Sequence, residues 1–203
     1  MRSGPPSAGR LAAVCCTLVL VAACGQSDTG QSLSNLVLSQ APAGYTNQPI
    51  GGGGTMSIDD AASATPADPG AVRSFLQTST WNGAFARVWV RGTDYAEDLG
   101  YGFASSADAL RFARLEVSAL QAATGNYVYP LAQVPAAQAF IIYSQTRVGG
   151  HNVFCNGVWF PVQTRVFELL TCGSMPQDGQ LAAKLAVAQY AAVGGAPASV
   201  APS

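Results

Sequence analysis

The chain is poor in the side chains that carry most enzyme chemistry. Its 203 residues include one histidine, His151, and one lysine, Lys184. A serine or cysteine nucleophile relayed through imidazole would have to use His151, which follows Gly149-Gly150 at a turn and reads as an exposed loop residue. No Gly-x-Ser-x-Gly elbow accompanies it. A zinc site is excluded on the same count, because one histidine and no second cysteine pair cannot supply four N/S ligands. The run Gly51-Gly52-Gly53-Gly54 lacks the Lys-Ser or Lys-Thr that follows a phosphate-cradling loop, so it reads as linker. Charged residues make up 10% of the chain and the net charge is −1. That sign leaves no cationic face for a nucleic acid, whose binding is driven by counterion release. No catalytic residue, cofactor site or metal site is expected.

What is present begins at the amino terminus. Arg2 and Arg10 flank a modestly basic segment, and Leu11 to Ala23 is apolar apart from Thr17. A helix over that stretch reaches about 20 Å, short of a hydrocarbon core roughly 30 Å thick, so it reads as a cleaved signal rather than a permanent span. It ends in Leu20-Val21-Ala22-Ala23-Cys24. This motif resembles the lipobox of bacterial lipoprotein precursors. The resemblance implies that the Cys24 thiol takes a diacylglyceryl group, that residues 1–23 are removed, and that the new amino group is often acylated as well. Each buried methylene contributes about 0.8 kcal/mol, so two or three chains anchor stably where one does not. The alternative is an ordinary signal peptide with an Ala-x-Ala-like site and an incidental cysteine. The lipobox reading puts the protein on the cell membrane, lipid-anchored, on the extracytoplasmic side.

Cysteine counting follows from that reading. Cys15 and Cys16 leave with the signal and Cys24 carries lipid, so Cys155 and Cys172 remain, an even number that suggests one disulfide in an exported protein. Closing the loop between them is worth roughly 3 kcal/mol in the chain-entropy model. Loss of Arg2 and Arg10 with the signal leaves eight basic against eleven acidic side chains.

The remainder divides by composition. Residues 24–66, rich in Gly, Ser, Gln, Asn and Pro, read as a flexible tether, although Leu33, Leu36, Val37, Leu38 and Tyr45 are apolar enough to dock on the body. Residues 67–194 read as a single α+β domain, and 195–203 as a loose tail. Asp68-Pro69 opens a helix through about Thr78. Phe85 to Arg91 reads as a strand, followed by a second from Leu99 to Phe103. Ser105 with Asp108 starts a helix to Ala122 whose buried stripe is read as Leu110, Ala113, Val117 and Leu120. Ala139 to Ser144, Asn152 to Phe160 and Arg165 to Thr171 read as strands. A last helix from about Asp178 to Val193 places Leu181, Leu185, Ala188 and Ala192 on one side, and Gly194 stops it. This order predicts an antiparallel sheet of about four to five strands with helices packed mainly on one face.

Two hairpins compete around Cys155. Asn156-Gly157 is a strong two-residue turn signal and would pair Cys155 with Val158. A turn at Gln163-Thr164 instead opposes Phe160 with Phe167, Trp159 with Glu168, Val158 with Leu169 and Cys155 with Cys172. The second register is preferred, because it matches large apolar residues and brings the thiols together. It allows a bulge at Gly157, confines Pro161 to an edge strand and leaves Glu168 on the solvent side.

Two weaker signals complete the inventory. Asp94, Glu97 and Asp98 surround Tyr95 and could offer oxygen ligands to calcium, but they lack EF-hand order and read as a solvated acidic turn. Trp81, Trp89, Trp159, Tyr101, Tyr127, Tyr129 and Tyr143 could line a cleft, but are more simply core and surface material. Ala41 to Thr46, Val134 to Phe140 and Leu185 to Tyr190 are similar to stretches in a loose class of short exported actinobacterial lipoproteins of unknown function. That resemblance implies location and an α+β sandwich, and supplies no reaction. The expectation is a membrane-anchored, extracytoplasmic, non-enzymatic domain that binds a partner, such as an envelope protein, or a ligand. A carrier or sensor of a small apolar ligand is the alternative, and an envelope hydrolase a distant third.

Overall fold

Strands and helices follow one another in the computed structural model as α1 (Leu33–Leu36), β1 (Thr46–Asn47), β2 (Gly53–Met56), α2 (Ile58–Ser63), α3 (Pro69–Thr78), β3 (Trp81–Arg91), β4 (Asp94–Phe103), α4 (Ser106–Ala122), β5 (Tyr127–Pro130), β6 (Gln138–Val148), β7 (His151–Val162), β8 (Arg165–Gly173) and α5 (Gln180–Ala192). The structure describes residues 32–48, 53–123, 126–148, 151–173 and 180–195; of residues 142–148 and 151–153 only the backbone is described. Helix starts are specified locally. Ser57 and Asp60 form a reciprocal capping box on α2, the Asp68 carboxylate accepts from the Ala71 N–H with Pro69 in the first turn of α3, and the Ser105 hydroxyl accepts from the Asp108 N–H on α4. Such caps satisfy amide donors that the helix leaves unpaired.

All strands join one antiparallel sheet in the order β1-β3-β4-β8-β7-β6-β5, with β2 also paired to β3. The chain reverses at Gln163-Thr164, and the β7–β8 ladder runs Phe160↔Phe167, Trp159↔Glu168, Val158↔Leu169 and Cys155↔Cys172. Cys155 and Cys172 are disulfide-bonded, with Cα atoms 4.1 Å apart. The bridge thus staples two central strands across directly opposed positions. No bulge interrupts this ladder at Gly157, which is small for a different reason: the Phe140 ring of β6 fills the space where its Cβ would stand. Pro161 lies on an interior strand, but β6 begins opposite Trp159, so no N–H is required of it on that side.

The sheet departs from the sequence-based expectation in two respects. It has eight strands, not four to five. The additional β1, β2 and β5 are two to four residues long, and β2 and β5 contain glycine or proline, so they are too short for alternation to register. Helices also cover both faces rather than mainly one. On the first face α2, α3 and α4 bury Ala61, Val72, Leu76, Phe112 and Leu120 against Leu99, Tyr101, Phe103, Phe140 and Trp159. On the second, α1 and α5 bury Leu36, Val37, Ala182, Leu185 and Ala186 against Trp89, Phe160, Phe167 and Leu169. Central strands are therefore apolar on both sides, as two-sided coverage requires. From residue 32 onward much of the segment read as tether belongs to this fold: Tyr45 joins the second core, and Ala61 and Ala62 the first.

Helix phases shift as well. In α4 the buried positions are Asp108, Ala109, Phe112, Ala113, Glu116 and Leu120, while Leu110 is exposed. In α5 they are Ala182, Leu185, Ala186 and Gln189, while Ala188 and Ala192 are exposed.

Candidate functional site

Three glutamates occur in the chain, Glu97, Glu116 and Glu168, and the fold brings all three to the first face of the sheet. Glu168 of β8 stands opposite Leu99 of β4 on one side and Trp159 of β7 on the other. Glu97 opposes Leu170, one step along β4, and so lies diagonal to Glu168 on the same face, at a spacing of roughly 7–8 Å between such positions. Glu116 comes down from α4 one turn after Phe112, whose ring centroid lies 4.7 Å from that of Tyr101 and 6.0 Å from that of Trp159. Tyr101 and Trp159 stack at 5.9 Å. The carboxyls therefore share an aromatic-walled space between helix and sheet. Glu116 and Glu168 are buried and Glu97 is half-buried.

Burial without compensation sets their chemistry. Desolvation raises Glu97 to about 7 and Glu116 to about 8, the latter despite the Ala67 N–H and the Thr65 hydroxyl that favour its ionised form. Glu168 is raised well above the ordinary carboxylate range, first by desolvation and then by Glu97 and Glu116. Among the described residues no arginine or lysine offsets these effects on the three carboxyls. The Ala67 N–H donates to Glu116 Oε2 at 3.3 Å, and Oε1 has no partner. The Trp159 indole N–H is the polar group that favours ionised Glu168, yet it too finds no partner at hydrogen-bond geometry. Tyr101, whose hydroxyl donates to the Ala61 carbonyl at 3.3 Å, is held far above its usual range by burial and then by the same three glutamates. Tyr95, opposite Cys172, is pushed up to about 12 by burial, Glu97 and Glu168. Such an array can hold protons at neutral pH and release them when opened to water.

A second polar cluster lies on the other face. Asp98 Oδ2 accepts from the Leu38 N–H at 2.7 Å, the same N–H reaches Gln189 Oε1 at 3.1 Å, and Gln189 Nε2 donates to the Leu36 carbonyl at 2.8 Å. Desolvation raises Asp98 to about 8, and the Leu38 N–H opposes that shift. This clamp roots the segment after α1 between β4 and α5.

The residues singled out from sequence fare differently. Cys24 lies outside the described residues, and so does the side chain of His151, whose backbone opens β7 opposite Val148. Asp94, Glu97 and Asp98 belong to β4 rather than to a solvated turn. Asp94 meets Arg91 at 3.0 Å near the hairpin end, while Glu97 and Asp98 point to opposite faces. Among the described residues no group of three or more His, Cys, Asp or Glu is arranged to hold a metal ion. Glu168, expected on the solvent side, is buried because α4 covers that face. Trp89, Trp159 and Tyr101 are core, Trp81 is partly buried, Tyr127 and Tyr129 are exposed, and the Tyr143 side chain lies outside the described residues. Among the described residues, an open groove of about 360 Å³ lies beside α5, lined by Gln133, Gln180, Ala183, Lys184 and Val187. Among the described residues no helix is long and apolar enough to cross a membrane.

No family model matches the chain, and no curated protein matches it. Among solved structures it is similar to the extracellular domain of PknH from Mycobacterium tuberculosis, at 10% identity and a TM-score of 0.44 over 57% of this chain and 68% of that one. A likeness at that level carries no inference about fold, location or activity.

Proposed function

We propose that the protein is a lipoprotein held to the extracytoplasmic side of the cell membrane by acylated Cys24, and that its disulfide-bonded body is a non-enzymatic domain binding an envelope partner. The observation that carries this reading is the motif Leu20-Val21-Ala22-Ala23-Cys24 directly behind a short apolar run. The Cys155–Cys172 bridge between opposed strands supports it, since disulfides persist in oxidising compartments. The rooted segment at Leu36 to Leu38 adds a geometric consequence. Ser32 follows Cys24 by eight residues, which span at most about 28 Å. The body then rides close to the bilayer surface rather than at the end of a long leash. Partner binding is favoured over carriage of a small apolar ligand, because among the described residues both sheet–helix interfaces are filled by side chains and the groove beside α5 is open.

Fractionation of cells expressing the wild type and Cys24→Ser tests the anchor. The wild type should partition with membranes and incorporate a labelled fatty acid, and the variant should lose the label and accumulate unprocessed. Equal membrane retention and processing of both would overturn the reading.

A further inference from the structure

Three acidic side chains at one helix–sheet interface, with no cation among them in the described residues, are a costly arrangement unless protons stand in for the missing countercharge. Placement makes the cluster more than a crowd of carboxyls. Glu116 joins three parts of the fold: it belongs to α4, it packs over the sheet, and it receives the Ala67 N–H from the connection between α2 and α3. Tyr101 makes the parallel link from β4 to the Ala61 carbonyl of α2. Glu116 Oε1 and the Trp159 N–H, both on residues at or near zero exposure, are left without partners in the same space. A proton shared with a neighbouring carboxyl would satisfy Glu116 Oε1, and a carboxyl oxygen or a water admitted on opening would accept from the Trp159 N–H.

We propose that Glu97, Glu116 and Glu168 form a proton-operated latch that keeps α4 and the α2–α3 connection seated on the sheet when protonated and releases them when the carboxyls ionise. On release, each carboxyl loses its proton to bulk water, the like charges repel, and the Tyr101–Phe112–Trp159 cluster gains access to solvent. Protonation and reclosure reverse the step.

The other groups facing the cluster do not substitute for that control. From β4, Tyr95 and Tyr101 stay neutral. β7 contributes Trp159 and, with β8, the disulfide. On the covering elements, Asp108 is held by Thr80 and Arg111 at the start of α4, and Asp59 of α2 pairs with Arg73 of α3. From β3, Ala84 and Ala86 are uncharged, and Arg87 of β3 and Asp98 of β4 lie on the opposite face. The latch does not depend on the lipid anchor; if the anchor reading holds, the pH that operates it is that outside the membrane.

The chain's glutamate count makes the test direct. With three glutamates in all, uniform ¹³Cδ-glutamate labelling of the full-length protein gives three carboxyl signals to follow from pH 4 to pH 9. At least two should still be in their protonated position at pH 6. In parallel, hydrogen exchange corrected for intrinsic rate should show protection of the amides of 61–67 and of α4 falling about tenfold per pH unit for each carboxyl that ionises on opening. In Glu116→Gln and Glu168→Gln that slope should flatten. The latch is refuted if all three carboxyls titrate below pH 5, or if protection of these amides is independent of pH in the wild type. It is equally refuted if the Gln variants lose protection with pH as steeply as the wild type. The labelling arm needs no variant, so a folding failure of either substitution leaves the proposal decidable.

Discussion

Replacing Glu116 by glutamine should make the protein more stable at pH 8 and leave it little changed at pH 5. The amide is the closest neutral mimic of the protonated carboxyl: its oxygen can keep the acceptor role toward the Ala67 N–H, and its NH₂ stands where Oε1 already lacks a partner. In the unfolded chain a glutamate titrates near 4.3, whereas burial raises Glu116 to about 8 in the fold. Between those values the folded state binds more protons than the unfolded one, so stability is fully present at low pH and is lost progressively as pH rises to the folded value. At 1.36 kcal/mol per pH unit the loss at pH 8 is on the order of 3–5 kcal/mol, and glutamine removes it. For a chain of this size each kcal/mol moves Tm by about 2–4 °C. Guanidinium titrations of wild type and variant should therefore show stabilities only about 1 kcal/mol apart at pH 5 and several times further apart at pH 8, with slopes m unchanged. Equal differences at both pH values, or a variant weaker at pH 8, would refute the linkage argument.

Three further outcomes follow from packing. Cys172→Ser should lower stability by about 3 kcal/mol in equilibrium denaturation, and reduction of the wild type should reproduce that loss without an additive effect on the variant. Gly157→Ala should cost roughly 1–3 kcal/mol, because its methyl group displaces the Phe140 ring, and thermal melts of Gly157→Ala and the double variant Gly157→Ala/Phe140→Ala should show the second change relieving the first. Gln189→Ala should strand the Leu36 carbonyl and weaken the hold on the Leu38 N–H, at about 1–3 kcal/mol, and limited proteolysis should then cut faster within residues 32–48.

The parts of the fold legible in the sequence are those set by local chemistry. Caps at Asp68 and Ser105 placed two helices, and the opposed pairs running out from Gln163-Thr164 placed the central hairpin and its disulfide. Phase was harder to read. A stripe through Leu110, Ala113, Val117 and Leu120 avoids the glutamate of α4, whereas the face that is actually buried passes through Glu116. In α5, alanines occupy so many positions that periodicity gives no direction, and Gln189 turns inward because it clamps Leu36 and Leu38. The glutamate cluster is invisible to any local window, since its members are separated by 19 and 52 positions and meet only through sheet order. One signal was available: Glu116 and Glu168 sit inside segments otherwise rich in apolar residues, where a charged side chain is out of place on energetic grounds, whereas Glu97 is flanked by Asp94 and Asp98 and gave none. The two-sided sheet escaped for a related reason, because Arg165 and Glu168 give β8 the look of a half-exposed strand although both are buried.

Intact-mass analysis of the amino-terminal peptide from membrane-extracted protein tests the central claim most directly. The account predicts a peptide that begins at Cys24 and carries the mass of a diacylglyceryl group, with or without a further acyl chain. A peptide that starts at Met1, or one that contains an unmodified Cys24, would contradict it.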